Sequence, residues 1–197
     1  MSTIDEVKYA INVLRQSKDT SFTILHCNTQ YPTKPEDMNL RAMNKLQELA
    51  PDWKIGLSDH SEGIVASLVA IGLGAKFIEK HFTLDKNFAG PDHKASATPE
   101  ELKALVENVR RIEVMAGSSK KIVTESERKN KIVARKSIVA KRKIMRGEMF
   151  SEENITCKRP GNGISPIHWY EVLGEEAEKD FELDELISCK GVNRENE

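Results

Sequence analysis

Apolar residues at Val7, Ala10, Ile11 and Leu14 are spaced for one face of a helix and follow a Thr3-Ile4-Asp5-Glu6 capping box. Phe22-Thr23-Ile24-Leu25-His26-Cys27 is a short apolar run that predicts a strand, with the polar loop Asn28-Thr29-Gln30-Tyr31-Pro32 behind it. Leu40, Met43, Leu46 and Leu49 return to helical spacing until Pro51 stops the pattern. Lys54-Ile55-Gly56-Leu57-Ser58-Asp59-His60 predicts a second strand and the apolar stretch 64–73 a helix. Phe77-Ile78-Glu79-Lys80-His81-Phe82 predicts a third strand. Thr98-Pro99-Glu100-Glu101 starts a helix with Leu102, Leu105, Val106, Val109 and Ile112 on one face. The order is one helix and then βα three times, which predicts an α/β fold with a parallel sheet.

The pattern changes near Gly117. A polar, charged segment over 118–130 reads as a linker. Beyond it the apolar runs are short: Ser137-Ile138-Val139-Ala140, Glu148-Met149-Phe150 and Ile155-Thr156-Cys157. Turn glycines at 147, 161, 163 and 174 separate them, and a short helix is expected around 168–173. The predicted division is 1–117, a linker at 118–130, a small β-rich domain at 131–190 and a frayed tail at 191–197. Three strands left alone expose two unpaired edges. A complete (β/α)8 barrel needs about 250 residues. The first part therefore reads as the C-terminal part of a larger barrel, its last three strands.

Charge narrows the function. Lys+Arg number 30 and Asp+Glu 31 among 197 residues, so no basic excess argues for nucleic acid or a membrane surface. The three cysteines are widely separated and form no CxxC pair, which favours a reducing cytoplasm. No basic-then-apolar leader opens the chain, and no apolar run is long enough to span a bilayer.

The chemistry gathers at two strand ends. Adjacent parallel strands of a βαβ unit end side by side, so His60 and His81 are expected in one pocket. Asp59, Glu79 and Asp92 lie near them in sequence, and such a set suits a divalent cation. The bland alternative is a pair of histidines bonded to loop carbonyls. Glu79 shares the face of His81 and could orient a ligand, bind substrate or form a buried ion pair with a lysine. Asp92, in Gly90-Pro91-Asp92-His93-Lys94-Ala95-Ser96, could bind a sugar or hold its turn; His93 could do either. His26 reads as a core histidine, and Cys27 as packing with no base placed to activate it.

These segments, with Arg146-Gly147-Glu148 and Lys158-Arg159-Pro160-Gly161-Asn162-Gly163-Ile164-Ser165, resemble the N-acetylneuraminate (sialic acid) synthase family. The carboxy-terminal part, from Ala134-Arg135-Lys136-Ser137 on, resembles its SAF (antifreeze-like) β-clip domain. The resemblance implies a TIM barrel followed by a SAF domain. It implies condensation of phosphoenolpyruvate with an N-acylated hexosamine to a nonulosonic acid and phosphate. It further implies Mn2+ or Mg2+ held by His60 and His81, catalytic roles for His60, His81 and Glu79, and substrate contacts from Thr29, Tyr31, Ser58 and Asp92. Arg159 would reach the N-acyl group in the partner's barrel of a domain-swapped homodimer; by its residues alone it could be a solvated turn charge.

By the same resemblance the chain lacks the family's first five strands. Two expectations follow. It is part of a synthase completed by a separate amino-terminal half, or it is a non-catalytic remnant whose SAF domain binds a carbohydrate or partner. Which sugar is used, sialic or legionaminic in type, stays open at this level.

Overall fold

The computed structural model describes residues 1–18 and 21–192. Two compact units divide at Ser119 and Lys120.

The first unit opens with α1 (Ile4–Leu14), started by the expected Thr3/Glu6 capping box. β1 (Thr23–Cys27), α2 (Ala42–Leu49), β2 (Lys54–Asp59), α3 (Val65–Gly72), β3 (Phe77–Lys80) and α4 (Pro99–Ala116) follow. The strands form a parallel sheet in the order β1-β2-β3. One face packs against helices: Ile55 and Leu57 of β2 join Met43 and Leu46 of α2 and Ala70 of α3 in one core. Trp53, Ala50 and Ile11 make a second, smaller core where α1 meets the start of β2.

Side chains alternate across a strand, so the opposite face of β2 carries Gly56, Ser58 and then His60 just past its end. Gly56 must be glycine. A Cβ there would lie 2.4 Å from the Phe77 carbonyl oxygen and 2.7 Å from Leu25 Cδ2, contacts that no small adjustment relieves. α4 carries the second expected capping box, Thr98/Glu101, with Pro99 in its first turn.

The second unit begins with α5 (Glu125–Ala134), where a linker was expected. Thr124 and Glu127 form a third capping box that starts it. β4 (Ser137–Ala140) and β5 (Ile155–Lys158) pair antiparallel. Bridges Val139–Leu186, Ile144–Phe181 and Met149–Glu176 tie the remaining turns to them. The core is Ile138, Ile144, Phe150, Ile155, Ile164 and Phe181, with the two phenyl rings edge to face at 5.8 Å. α6 (Trp169–Val172) is the short helix expected there. Val192 packs against this core, so the ordered unit runs past the expected start of the tail; the rest of that tail lies outside the described residues. Among the described residues no helix is long and apolar enough to cross a membrane.

Glu148 ties two turns of this unit together. It accepts from Arg142 Nη2, from Asn154 Nδ2 at 3.1 Å and from the Met145 N–H at 3.2 Å. The Arg142 hydrogen bond first, then those from Asn154 and Met145, lowers its carboxyl from the usual 4.5 to about 2. A depressed carboxylate stabilises the fold fully above its unfolded value and loses that contribution as pH falls toward the folded one. Between about pH 4.5 and pH 2, urea midpoints of this unit, followed at the Ile138 and Ile144 methyl signals, should fall more steeply in the parent chain than in Glu148→Gln. Parallel slopes for the two chains would contradict this assignment.

Candidate active site

The pocket sits at the C-terminal ends of the three parallel strands. Its floor is a cross-strand pair: Ser58 lies opposite Glu79 in the β2–β3 register, and its hydroxyl donates to Glu79 Oε1 at 2.7 Å. Above it, His60 and His81 face each other with ring centroids 5.4 Å apart and planes at 82°. Tyr31, from the loop after β1, stacks on His60 at 4.1 Å and meets His81 edge-on at 5.5 Å. Asp92 brings Oδ2 to 3.9 Å from His81 Nδ1. Thr29 lies exposed in the same loop as Tyr31. The structure thus brings Tyr31, Ser58, His60, Glu79, His81 and Asp92 together; Arg159 belongs to the second unit.

His60 is 6 % exposed and fixed from three directions. Its backbone carbonyl accepts the Thr33 N–H at 2.8 Å. Its Nδ1 lies 2.6 Å from the Asn28 carbonyl oxygen. A carbonyl can only accept, so Nδ1 carries the hydrogen and the neutral ring's lone pair is on Nε2. That lone pair accepts the Tyr31 O–H at 3.0 Å, with Ser58 Oγ 3.4 Å away. Partial burial, and then the negative charge of neighbouring Cys27, Asp92 and Glu79, raise Tyr31 above the usual phenol value, so it stays a donor at neutral pH.

The bond to a loop carbonyl, taken above as the bland reading, is also what orients a metal-binding imidazole. A cation would take over the Nε2 lone pair that now accepts from Tyr31. Among the described residues no three His, Cys, Asp or Glu converge on one point, so the chain offers two imidazoles and an open remainder of the coordination shell.

Two expectations are corrected, for Asp59 and for Glu79. Asp59 does not join the pocket. It lies on the opposite face of β2, fully buried, accepts from Ser61 N–H and Oγ and from Ser67 Oγ, and forms an ion pair with Lys80, whose Nζ is 3.3 Å away. The buried ion pair considered for Glu79 is made instead by its neighbour Lys80 with Asp59. Cys27 does have an imidazole beside it, with Sγ 3.9 Å from His60 Nδ1, but that nitrogen donates to Asn28 and is no base. His26 is bonded to the Met38 carbonyl on the helix-covered face, as a core histidine should be. His93 holds its loop by pairing with Thr83 Oγ1 at 2.8 Å. The Asn28 carbonyl was missed because a backbone acceptor leaves no trace in residue identity.

Residues 1–121 match the NeuB family and residues 135–192 the SAF domain. The chain belongs to the NeuB family. It is 49 % identical over 189 residues to N,N'-diacetyllegionaminic acid synthase of Campylobacter jejuni, covering 95 % of this chain and 56 % of that protein. It is 36 % identical over 197 residues to human N-acetylneuraminate-9-phosphate synthase, covering 97 % and 55 %. Among solved structures, spore coat polysaccharide biosynthesis protein SpsE of Bacillus subtilis aligns with a TM-score of 0.56 at 35 % identity, over 98 % of this chain and 59 % of that one. The N-acetylneuraminic acid synthetase of Leptospira borgpetersenii, solved with citrate, aligns at 0.60 and 36 % identity over 66 % and 45 %. The chain spans about half the length of the curated NeuB-family relatives it matches.

Proposed function

We propose that this chain supplies the C-terminal half of the active site of a nonulosonic acid synthase. In this reading β1, β2 and β3 are the last three strands of a (β/α)8 barrel, followed by a SAF domain. The reaction joins the enol carbon of phosphoenolpyruvate to the aldehyde carbon of an N-acylated hexosamine, N-acetylmannosamine or a related sugar. The aldehyde oxygen gains a proton, and water replaces phosphate. One observation carries the reading: in a NeuB-family chain, Ser58 and Glu79 of β2 and β3, with Tyr31, His60 and His81 from the segments just after the three strands, converge at the C-terminal end of the parallel sheet, where barrel enzymes keep their active sites.

The donor set suits Mn2+ or Mg2+ held by His60 and His81, with oxygen ligands completing the shell. A bound cation would act as a Lewis acid toward the sugar aldehyde. The remaining work falls to the chain. Tyr31 holds a proton on its phenol oxygen for an adjacent substrate oxygen. Glu79, oriented by the Ser58 hydroxyl, can take or return a proton at its free carboxylate oxygen. Asp92 accepts from sugar hydroxyls, Thr29 lines the mouth, and Arg159 approaches the N-acyl group from the partner subunit of a homodimer.

The test is complementation. The segment of the Campylobacter relative that this chain does not cover is expressed separately and mixed with it. Phosphate release from phosphoenolpyruvate and N-acetylmannosamine should require both pieces and vanish with His60→Ala. Turnover by the chain alone would overturn the half-site claim. A mixture that assembles but never turns over would overturn the synthase reading.

A further inference from the structure

The last carbonyls of α5 have partners outside the helix. A helix leaves its final four C=O groups without intrahelical donors. In α5 the Ile132 carbonyl accepts the Gly161 N–H at 2.7 Å, and the Ala134 carbonyl accepts Arg159 Nε–H at 2.8 Å. Ser137, fully buried, grips the same turn from the other side. Its hydroxyl donates to the Pro160 carbonyl at 2.6 Å and accepts the Gly163 N–H at 2.8 Å. The approach is close enough that a Cβ on Gly161 would lie 2.6 Å from Arg135 Cβ, which explains the glycine. The guanidinium also sits at the negative end of the helix.

We propose that the C-terminus of α5, with Ser137, is a positioning device that holds Arg159 in a fixed orientation for its ligand. This rests on the reading of Arg159 as a ligand-contacting residue. Arginine has five N–H donors in a planar fork. With Nε committed to Ala134, the side-on fork is closed and the end-on pair Nη1 and Nη2 remains. The matching ligand group is one planar acceptor, an amide or carboxylate, approached end-on. Lysine cannot replace Arg159, because one ammonium cannot both cap α5 and present a fork. Holding the fork in advance lowers the cost of ordering it on binding.

The experiment uses the full chain labelled with nitrogen-15. The Arg159 Nε–H signal, assigned by its loss in Arg159→Lys, should exchange with solvent at least about tenfold more slowly than those of the other exposed arginines. Lys129→Pro breaks α5, which buries no residue, and should leave the Ile138 and Ile144 core signals unchanged. It should nevertheless abolish the Arg159 protection, and Ser137→Ala should do the same. N-acetylmannosamine should shift the Arg159 Nη signals in the parent chain and bind about tenfold more weakly to Lys129→Pro. An unprotected Nε in the parent chain, or protection that survives the melting of α5, overturns the proposal. A protected Nε with no response to the sugar leaves the device standing and overturns the substrate role of Arg159.

Discussion

Alanine at either His60 or His81 should cost at least about a hundredfold in Mn2+ affinity, since even outer partners of a metal-bound imidazole are worth about 10–100-fold. The expectation comes from geometry: two rings 5.4 Å apart, one with its Nδ1 hydrogen committed to a backbone carbonyl and its Nε2 lone pair turned inward. Loss of the free Mn2+ electron-paramagnetic-resonance signal on titration with the chain measures the affinity. Tyr31→Phe is the informative companion. The phenol now occupies the Nε2 lone pair, so removing it should leave affinity unchanged or tighter. Both histidine variants binding Mn2+ like the parent would exclude a shared ion.

Asp59→Ala should destabilise the first unit by about 3–5 kcal/mol, because it strands the Lys80 ammonium in the interior. Both side chains are essentially buried, at 0 % and 4 % exposure, and the carboxylate also anchors Ser61 and, on α3, Ser67. Lys80 would keep its hydrogen bond to the Ser61 carbonyl at 2.8 Å but lose the adjacent carboxylate. Pairing Asp59→Ala with Lys80→Met should recover much of the loss, since an apolar replacement of both partners avoids the uncompensated charge. Urea denaturation followed at the Met38 and Met43 methyl signals measures the effect in this unit alone. A midpoint for Asp59→Ala equal to that of the parent would show that the pair contributes nothing.

Features written in neighbouring residues were legible in the sequence. The Thr3/Glu6 and Thr98/Glu101 caps need four residues each and appear where expected. The meeting of His60 and His81 followed from parallel strands ending together. Asp59 was misplaced because proximity in sequence was allowed to outweigh strand alternation, which sends residues 59 and 60 to opposite faces. α5 was hidden for a different reason. It buries no side chain, so it has no apolar stripe to read, and its C-terminal partners Arg159 and Gly161 lie more than twenty positions away. The Thr124/Glu127 box was the available signal, present in a segment whose charge suggested a linker.

Strand β2 ends on its buried anchor, Asp59, and the pocket residue His60 follows at the next position. Any shift of pairing by one place would exchange them, sending His60 among the helices and Asp59 into the pocket. The first move would take His60 from the Asn28 carbonyl and Tyr31, and the second would leave the buried Lys80 ammonium without its carboxylate, so two separate losses oppose the slip. Engineering should respect that. Insertions in the loop around Lys86 and Asn87 leave the strand pairing intact, whereas deleting a single residue between Lys54 and Asp59 would invert the pocket while sparing every side chain beyond it.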